Sequence, residues 1–376
     1  MIPSGIKLSG SPSAGPRPPV PRQSKLKAAP RRSRQERRPT IADVARAARV
    51  SLMTVSRVIN RGPGVREPMQ KRVRLAIRKL GYVPNASAQA LAGERQFRLA
   101  FLFDNPSPFY LSEILLGLLE ALAGRPHQLM VQRIADSTVH SQLVAEIRSL
   151  GRRCEGVIVP PPLSDDPAVH TLLRRAGLPA VYLSGVDPGK DGVSIGIDDY
   201  AAARSMTEHL LRLGHSRVGF IKGDPNQYCS GERYRGYCDA LRDGGFAVED
   251  CLIAQGHFTF ESGRRAAEML LDLPARPSAI FASNDDMAAA TIAVAAARGQ
   301  RVPADLSVAG FDDSPLAREI APRLTTIRQP LREMAEAAVS ALVGLVGDRE
   351  TETAKAPRRI VKSFVLQPGE STARLA

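Results

Sequence analysis

The sequence predicts a mixed α/β protein, with a small helical unit near the N-terminus and a longer body of parallel sheets. Three observations carry this expectation. Apolar residues recur at helical spacing in two short blocks between Thr40 and Asn60, short apolar runs alternate with helical segments from Arg98 onward, and positive charge is concentrated in the first quarter of the chain. A length of 376 residues suits a small N-terminal unit plus a two-part body, at roughly 100–200 residues per domain.

In the first block Ile41, Val44, Ala45 and Ala48 follow the i, i+3, i+4, i+7 pattern of one helical face, with Thr40 placed as N-cap. The second block starts at Ser51, another N-cap, and keeps Val55, Val58 and Ile59 inward while Met53, Ser56, Arg57 and Asn60 point outward. Two short helices joined by a tight turn, the second exposing Arg, Ser, Thr and Asn, form the helix-turn-helix layout whose second helix enters the DNA major groove. The same spacing also suits an ordinary amphipathic hairpin. Val65 to Leu80 reads as a third helix, with Val73, Ala76, Ile77 and Leu80 as its apolar stripe and Gly81 as its end.

Residues 1–39 hold ten Lys and Arg against one Glu, and residues 40–95 hold eleven against three acidic residues, a combined +17. The remaining 281 residues sum to −3, which gives the net +14 of the chain. A basic end on a nearly neutral body is the electrostatic footprint of a protein that places that end on a polyanion. Residues 1–38 combine many prolines with Ser and Arg and lack any aromatic side chain, so a disordered basic tail is expected there. No apolar run approaches a membrane-spanning length and no secretory core is present, which points to the cytoplasm. Cys154, Cys229, Cys238 and Cys251 show neither CxxC spacing nor nearby histidines; reduced thiols and no metal or other cofactor are expected.

From Arg98 the apolar runs LAFLF, QLMVQRI, GVIVP and AVYLS alternate with helical segments Leu111 to Leu122, Gln142 to Leu150 and Leu172 to Ala176. The alternation resumes with Ala201 to Leu213, RVGFI, Arg233 to Asp243, Ser262 to Leu271, AIFAS, Met287 to Ala297 and SVAGF, so two parallel-sheet units follow. Strands covered by helices on both faces are apolar throughout, and the polar residues after them gather at the strand C-termini, where open α/β sheets bind ligands.

The stretch TIADVARAARVS, the TVSRVIN that follows it, and LGYVPNASAQALAG at Leu80 to Gly93 together resemble the DNA-binding headpiece of the lactose-repressor/galactose-repressor family of transcriptional regulators. The resemblance implies a headpiece over residues 39–84, a hinge helix over 85–95 and a periplasmic-binding-protein-like body over 96–376. Lobe 1 of that body would take about 97–196 and 328–360, and lobe 2 about 197–326 with the C-terminal segment. Chain crossings between lobes fall near Gly196 to Asp198, Thr325 to Arg328 and Arg358 to Val365.

By the same resemblance Leu52, Met53 and Arg57 occupy base-reading positions, with Ser51, Thr54, Ser56 and Asn60 beside them, and Leu91 on the hinge helix of Ala86 to Ala92 is the wedge that enters the minor groove. The effector pocket would draw on Phe109, Tyr110, Arg233, Phe258, Asn284, Asp285 and Asp312. An Arg fork, carboxylates and flat aromatic faces suit a polyhydroxylated ligand, so a mono- or oligosaccharide is the expected effector. Some residues depart from the family pattern. Arg49 stands at a turn position that usually carries Gly or Asn, Arg66 where a capping Ser is common, Leu111 where an aromatic is common, and Gln227 and Cys229 where purine-responsive relatives carry ligand contacts.

The function implied is that of a sequence-specific regulator, a repressor of carbohydrate-utilisation genes released by a sugar, bound as a homodimer to pseudo-palindromic operator DNA. A corepressor-dependent regulator and a saccharide carrier that does not bind DNA are the alternatives. The pairs Asp198-Asp199, Asp285-Asp286 and Asp312-Asp313 supply carboxylates at strand ends, but no nucleophile elbow, phosphate loop or dinucleotide fingerprint accompanies them, and an enzyme is not expected. The C-terminal LQPGESTARLA has no leucine heptads, which favours a dimer over a tetramer.

Overall fold

The structure, a computed structural model, describes residues 39–59, 65–80, 95–134, 140–183, 186–189, 192–347 and 358–375. The expected tail over 1–38, Asn60, and the hinge residues Ala86 to Ala92 with Leu91 lie outside the described residues. The chain divides into two compact units, Met1–Pro84 and Asn85–Ala376.

In the first unit α1 (Ile41–Ala48), α2 (Leu52–Ile59) and α3 (Glu67–Leu80) pack around Val44, Ala45, Ala48, Val55, Val58, Val73 and Ala76. Thr40 opens α1 with a capping box: its backbone N–H donates to Asp43 Oδ2 at 2.9 Å, and its hydroxyl accepts from the Asp43 N–H at 3.4 Å. The chain leaves α1 through Arg49 in the left-handed region, φ +54°, and the Val50 N–H closes the turn on the Ala45 carbonyl at 3.1 Å. Helix α3 starts two residues later than its apolar pattern suggests. Gln70 holds the Val65 carbonyl at 2.9 Å, and Pro68, which has no N–H to lose, sits in the first turn.

The second unit carries two parallel sheets. In the first, β1 (Arg98–Phe103), β2 (Gln128–Arg133), β3 (Gly156–Val159), β4 (Ala180–Leu183), β5 (Val193–Gly196) and β11 (Arg359–Val361) run in the order β11-β5-β4-β3-β1-β2. In the second, β6 (Val218–Lys222), β7 (Ile253–Gln255), β8 (Ala279–Ala282) and β9 (Ser307–Ala309) run in the order β7-β6-β8-β9. A short antiparallel ribbon pairs β10 (Thr326–Arg328) with β12 (Val365–Gln367). The chain passes between the two lobes after β5, after β10 and after β11.

Strand alternation explains how each sheet is covered on both faces. Leu99, Phe101, Ile158 and Val181 meet α4 (Pro108–Leu122) and α12 (Leu331–Gly347), whereas Ala100, Leu102, Val157 and Tyr182 meet α5 (His140–Leu150) and α6 (Pro167–Arg175). In the second lobe Val218 and Phe220 face α7 (Asp199–Arg212) and α8 (Tyr228–Asp243), and Ile221 and Ile280 face α9 (Phe260–Leu271) and α10 (Asp285–Ala297).

Helix α12 has no counterpart among the sequence expectations. It buries Leu331, Met334, Ala335, Ala338, Val339, Leu342 and Val346, and each large apolar side chain among them contributes about 1.5–3 kcal/mol on burial. Its close approach to α4 depends on Gly117, where a Cβ would lie 2.7 Å from that of Ala335.

Candidate functional site

In the first unit the exposed face of α2 is formed by the residues that its periodicity places outward. The Thr54 N–H donates to Ser51 Oγ at 3.1 Å, and the two hydroxyls meet at 2.9 Å, which fixes the helix start. Val55 and Val58 hold the inner side in the core. Leu52 and Met53 are 53% and 65% exposed, Arg57 is exposed, and Thr54 and Ser56 are half-buried at the margin. Two large apolar side chains in water beside an arginine, on an eight-residue helix, form a surface suited to thymine methyls, a guanine edge or a phosphate. Asn60 and Leu91 lie outside the described residues.

In the second unit a partly open cleft lies between the lobes. It brings together Tyr110, Arg233, Phe258, Asn284 and Asp312 of the expected set, and adds Asn105, Ser107, Pro161, Asp199, Gln227, Cys229 and Gln329. Arg233, one turn into α8, is 4% exposed. Its Nε donates to Asp199 Oδ1 at 2.8 Å, its Nη1 donates to the Ser283 carbonyl at 2.6 Å, and its guanidinium lies 3.5 Å from the ring centre of Phe311. Asp199, at the start of α7, is equally buried; burial raises its pKa against the pull of Arg233.

Asp312 follows β9 in a backbone conformation with φ +122°, a strained geometry for a residue with a side chain. Its Oδ1 accepts from Gln329 Nε2 at 2.7 Å. Burial pushes its carboxyl up to about 7, opposed by Arg233 and Gln329 and reinforced by the charges of Asp286 and Asp199. Phe258 is likewise left-handed, φ +58°, and its ring lies over Gly223, where a Cβ would come within 2.0 Å of it. Asn284 holds that loop in place: its Nδ2 donates to the Phe258 carbonyl at 3.0 Å while its Oδ1 caps α10 through the Met287 N–H at 3.0 Å.

The opposite wall comes from the first lobe. Asn105 donates to the Pro161 carbonyl at 2.7 Å and accepts from the Ser107 N–H at 2.8 Å, and Ser107 caps α4 through the Tyr110 N–H. Among the described residues a polar contact bridges the lobes directly. Asp165, in the loop after β3, accepts from the Tyr228 N–H at 2.9 Å and so caps α8, whose own N-cap Gln227 makes no side-chain capping bond. Burial raises the Asp165 carboxyl to about 6, against the stabilising Tyr228 N–H.

Two expected ligand contacts are placed elsewhere. Asp285 is 1% exposed and does not line the cleft; its carboxylate accepts from the Ser314 N–H at 2.7 Å and the Thr326 hydroxyl at 2.6 Å, tying α10 to the loop after β9 and to β10. Burial, and then the charge of Asp312, raises its pKa well above the usual carboxylate range. Phe109 is one helical step from Tyr110 and lines an adjoining depression with Arg318, Arg328 and Leu331, which shares Asp312 and Gln329 with the cleft. Of the residues not anticipated, Asn105, Pro161 and Gln329 are single polar or turn residues from distant loops, with no local pattern to mark them. Asp199 carried a signal as part of an acidic pair at a strand end.

Among the described residues no group of His, Cys, Asp and Glu is arranged to hold a metal, and no helix is long and apolar enough to cross a membrane. The four cysteines are free thiols, three of them buried.

Comparison with known proteins agrees with both units. The family model described as bacterial regulatory proteins, lacI family, matches residues 40–85, and that of the periplasmic binding protein-like domain matches residues 207–372. The HTH-type transcriptional regulator CelR of Thermobifida fusca is 34% identical over 90% of this chain and 99% of its own. Catabolite control protein A of Priestia megaterium is 30% identical over 85% of this chain and 97% of its own. A solved complex of CelR with cellobiose superposes with a TM-score of 0.66 at 32% identity, covering 89% of this chain and 100% of that one. The lac repressor dimer bound to operator and the anti-inducer ONPF gives 0.69 at 25% identity, covering 90% and 100%. With an exposed second helix in one unit and an interlobe cleft in the other, and with these relatives matching along most of its length, the chain belongs to the lacI family of bacterial regulatory proteins.

Proposed function

We propose that the protein is a transcriptional regulator that binds a pseudo-palindromic operator as a homodimer and is released from it by a mono- or oligosaccharide held in the interlobe cleft. Leu52, Met53 and Arg57 read base edges, while Ser51, Thr54, Ser56 and Asn60 set the helix on phosphates. Leu91, by family resemblance, enters a central base step and kinks the duplex.

The observation that carries the saccharide reading is the wall built by Arg233. A guanidinium lies over the ring of Phe311 with the carboxyl groups of Asp199 and Asp312 beside it, and Tyr110 and Phe258 line the same cleft. Charged groups there can take paired hydroxyls and aromatic faces can cover the apolar side of a sugar ring. CelR, which is similar over nearly the whole chain, is solved with a disaccharide. A ligand that favours one lobe arrangement by about 1–3 kcal/mol changes operator affinity 5- to 150-fold, and linkage makes that coupling reciprocal without fixing its sign.

The test is a gel shift on DNA upstream of the protein's own gene neighbourhood, with and without a panel of mono- and oligosaccharides. A specific complex that a saccharide dissolves is the expected result, and Arg233→Lys should keep operator binding and lose the response. A saccharide that tightens the complex would replace release by corepression, and sequence-blind binding would remove the regulator.

A further inference from the structure

Helix α3 carries Lys71, Arg72, Arg74, Arg78 and Lys79 against one acidic residue, Glu67. All five cations are exposed, and the helix turns Val73 and Ala76 into the core. Among the described residues one of the five has an ion-pair partner, Lys71 with Glu67 at 3.0 Å; Arg72, Arg74, Arg78 and Lys79 make no hydrogen bond or ion pair.

Helix electrostatics explain only part of this. Arg78 and Lys79 complement the negative end of the α3 dipole, whereas Lys71, Arg72 and Arg74 sit too far from it to benefit. Lys71 with Arg74, and Arg74 with Arg78, are like charges one turn apart on the same flank, an arrangement that destabilises an isolated helix. A surface that repels itself, with Glu67 as the one acidic residue on the helix and paired only with Lys71, is relieved by a polyanion. Leu75, 59% exposed, lies between this flank and the Arg72 and Lys79 flank.

The reading face of α2 and the cationic face of α3 each point away from the core the two helices share, so they open onto different sides of the unit. We propose that the outer face of α3 is a second, sequence-independent DNA site, which holds the phosphates of another duplex segment while α2 holds the operator. Its chemistry is that of spaced guanidinium and ammonium groups along a backbone of phosphates, with no base contact. The inference rests on the DNA-binding reading of α2 and extends it from one duplex to two.

The experiment uses the full chain bound to a donor-labelled operator carrying both half-sites, titrated with an acceptor-labelled non-operator duplex, and energy transfer reports capture of the second duplex. Arg72→Gln/Arg74→Gln/Arg78→Gln should leave operator affinity within about twofold and weaken capture about tenfold or more at low salt. The slope of log capture against log salt should fall by about 0.9 per phosphate contact removed. The thermal midpoint of the first unit should not fall, because repulsion is relieved, so lost capture cannot be put down to unfolding.

Equal capture by the triple variant would overturn the site and assign capture to other cations such as the basic N-terminal residues. A salt slope that drops for operator binding, with no second duplex captured, would overturn it by placing α3 on the same duplex. Arg57→Ala separates the two claims: it should abolish operator specificity while the variant and parent still differ in binding non-operator duplex.

Discussion

The reading face of α2 and the wall of the cleft use similar side chains under opposite conditions. On α2, Leu52, Met53 and Arg57 stand in water with their contacts uncommitted, and the helix beneath them is held by Ser51, Val55 and Val58. In the cleft the polar groups are already bonded to one another: Arg233 to Asp199 and Ser283, Asp312 to Gln329, Asn284 to Phe258 and Met287. The difference teaches that recognition and stability are separable in the first unit and joined in the second. A change on the exposed face of α2 leaves the core of the first unit intact, whereas a change in the cleft removes bonds that hold the lobe.

The largest expected effect breaks the buried pair. Arg233→Ala removes the ion-pair partner of the buried Asp199 and leaves that carboxyl without its charge-assisted bond, and should destabilise the second unit by about 3–5 kcal/mol. Met53→Ala, made on the exposed face, should change melting by less than about 0.5 kcal/mol while altering operator affinity. Denaturant unfolding of both variants measures the contrast; equal losses would mean that the α2 face is part of the folding core.

The next effect is one of pH. The Asp312 carboxyl is raised to about 7 in the folded protein, mainly by burial, while the unfolded chain has the ordinary carboxylate value. Between those values the folded state binds more protons than the unfolded one, so stability falls as pH rises from about 4 to about 7 and levels off above. Asp312→Asn should flatten that slope in thermal melts. A ligand whose hydroxyls donate to the ionised carboxylate should bind more tightly as pH rises through 7, which isothermal titration across the range would read.

The smallest effect is in the turn. Arg49 adopts φ +54°, where a side chain costs about 1–2 kcal/mol that glycine does not incur. Arg49→Gly should recover part of this, up to about 1 kcal/mol in the melting of the first unit, less glycine's extra unfolded-state entropy. Phe258 and Asp312 share this strain but line the cleft, so relieving it there should change ligand binding as well.

The helical unit was legible because everything that shapes it is local: caps, a tight turn and a 3.6-residue repeat within some forty residues. The apolar strand runs were legible for the same reason. The strands β7, β10, β11 and β12 span three residues each and exist because a neighbour pairs with them, so their own sequence carries little signal. Helix α12 did have a readable stripe, from Leu331 through Met334 and Ala338 to Leu342 and Val346, and it lies beyond the last strand of the repeated pattern. In the second unit the family resemblance named Arg233, Asn284 and Asp312, which line the cleft, but it could not tell which way a carboxylate turns. Asp285 and Asp312 both follow strands, yet the first is consumed by Ser314 and Thr326 and the second lines the opening.

The contact between Asp165 and Tyr228 gives the clamshell a built-in readout. The helix that presents Arg233 borrows its first cap from the other lobe, so parting the lobes strips that cap and lets the leading turn of α8 fray. Integrity of that turn therefore depends on contact between the lobes, and the amide of Tyr228 is the place to watch it.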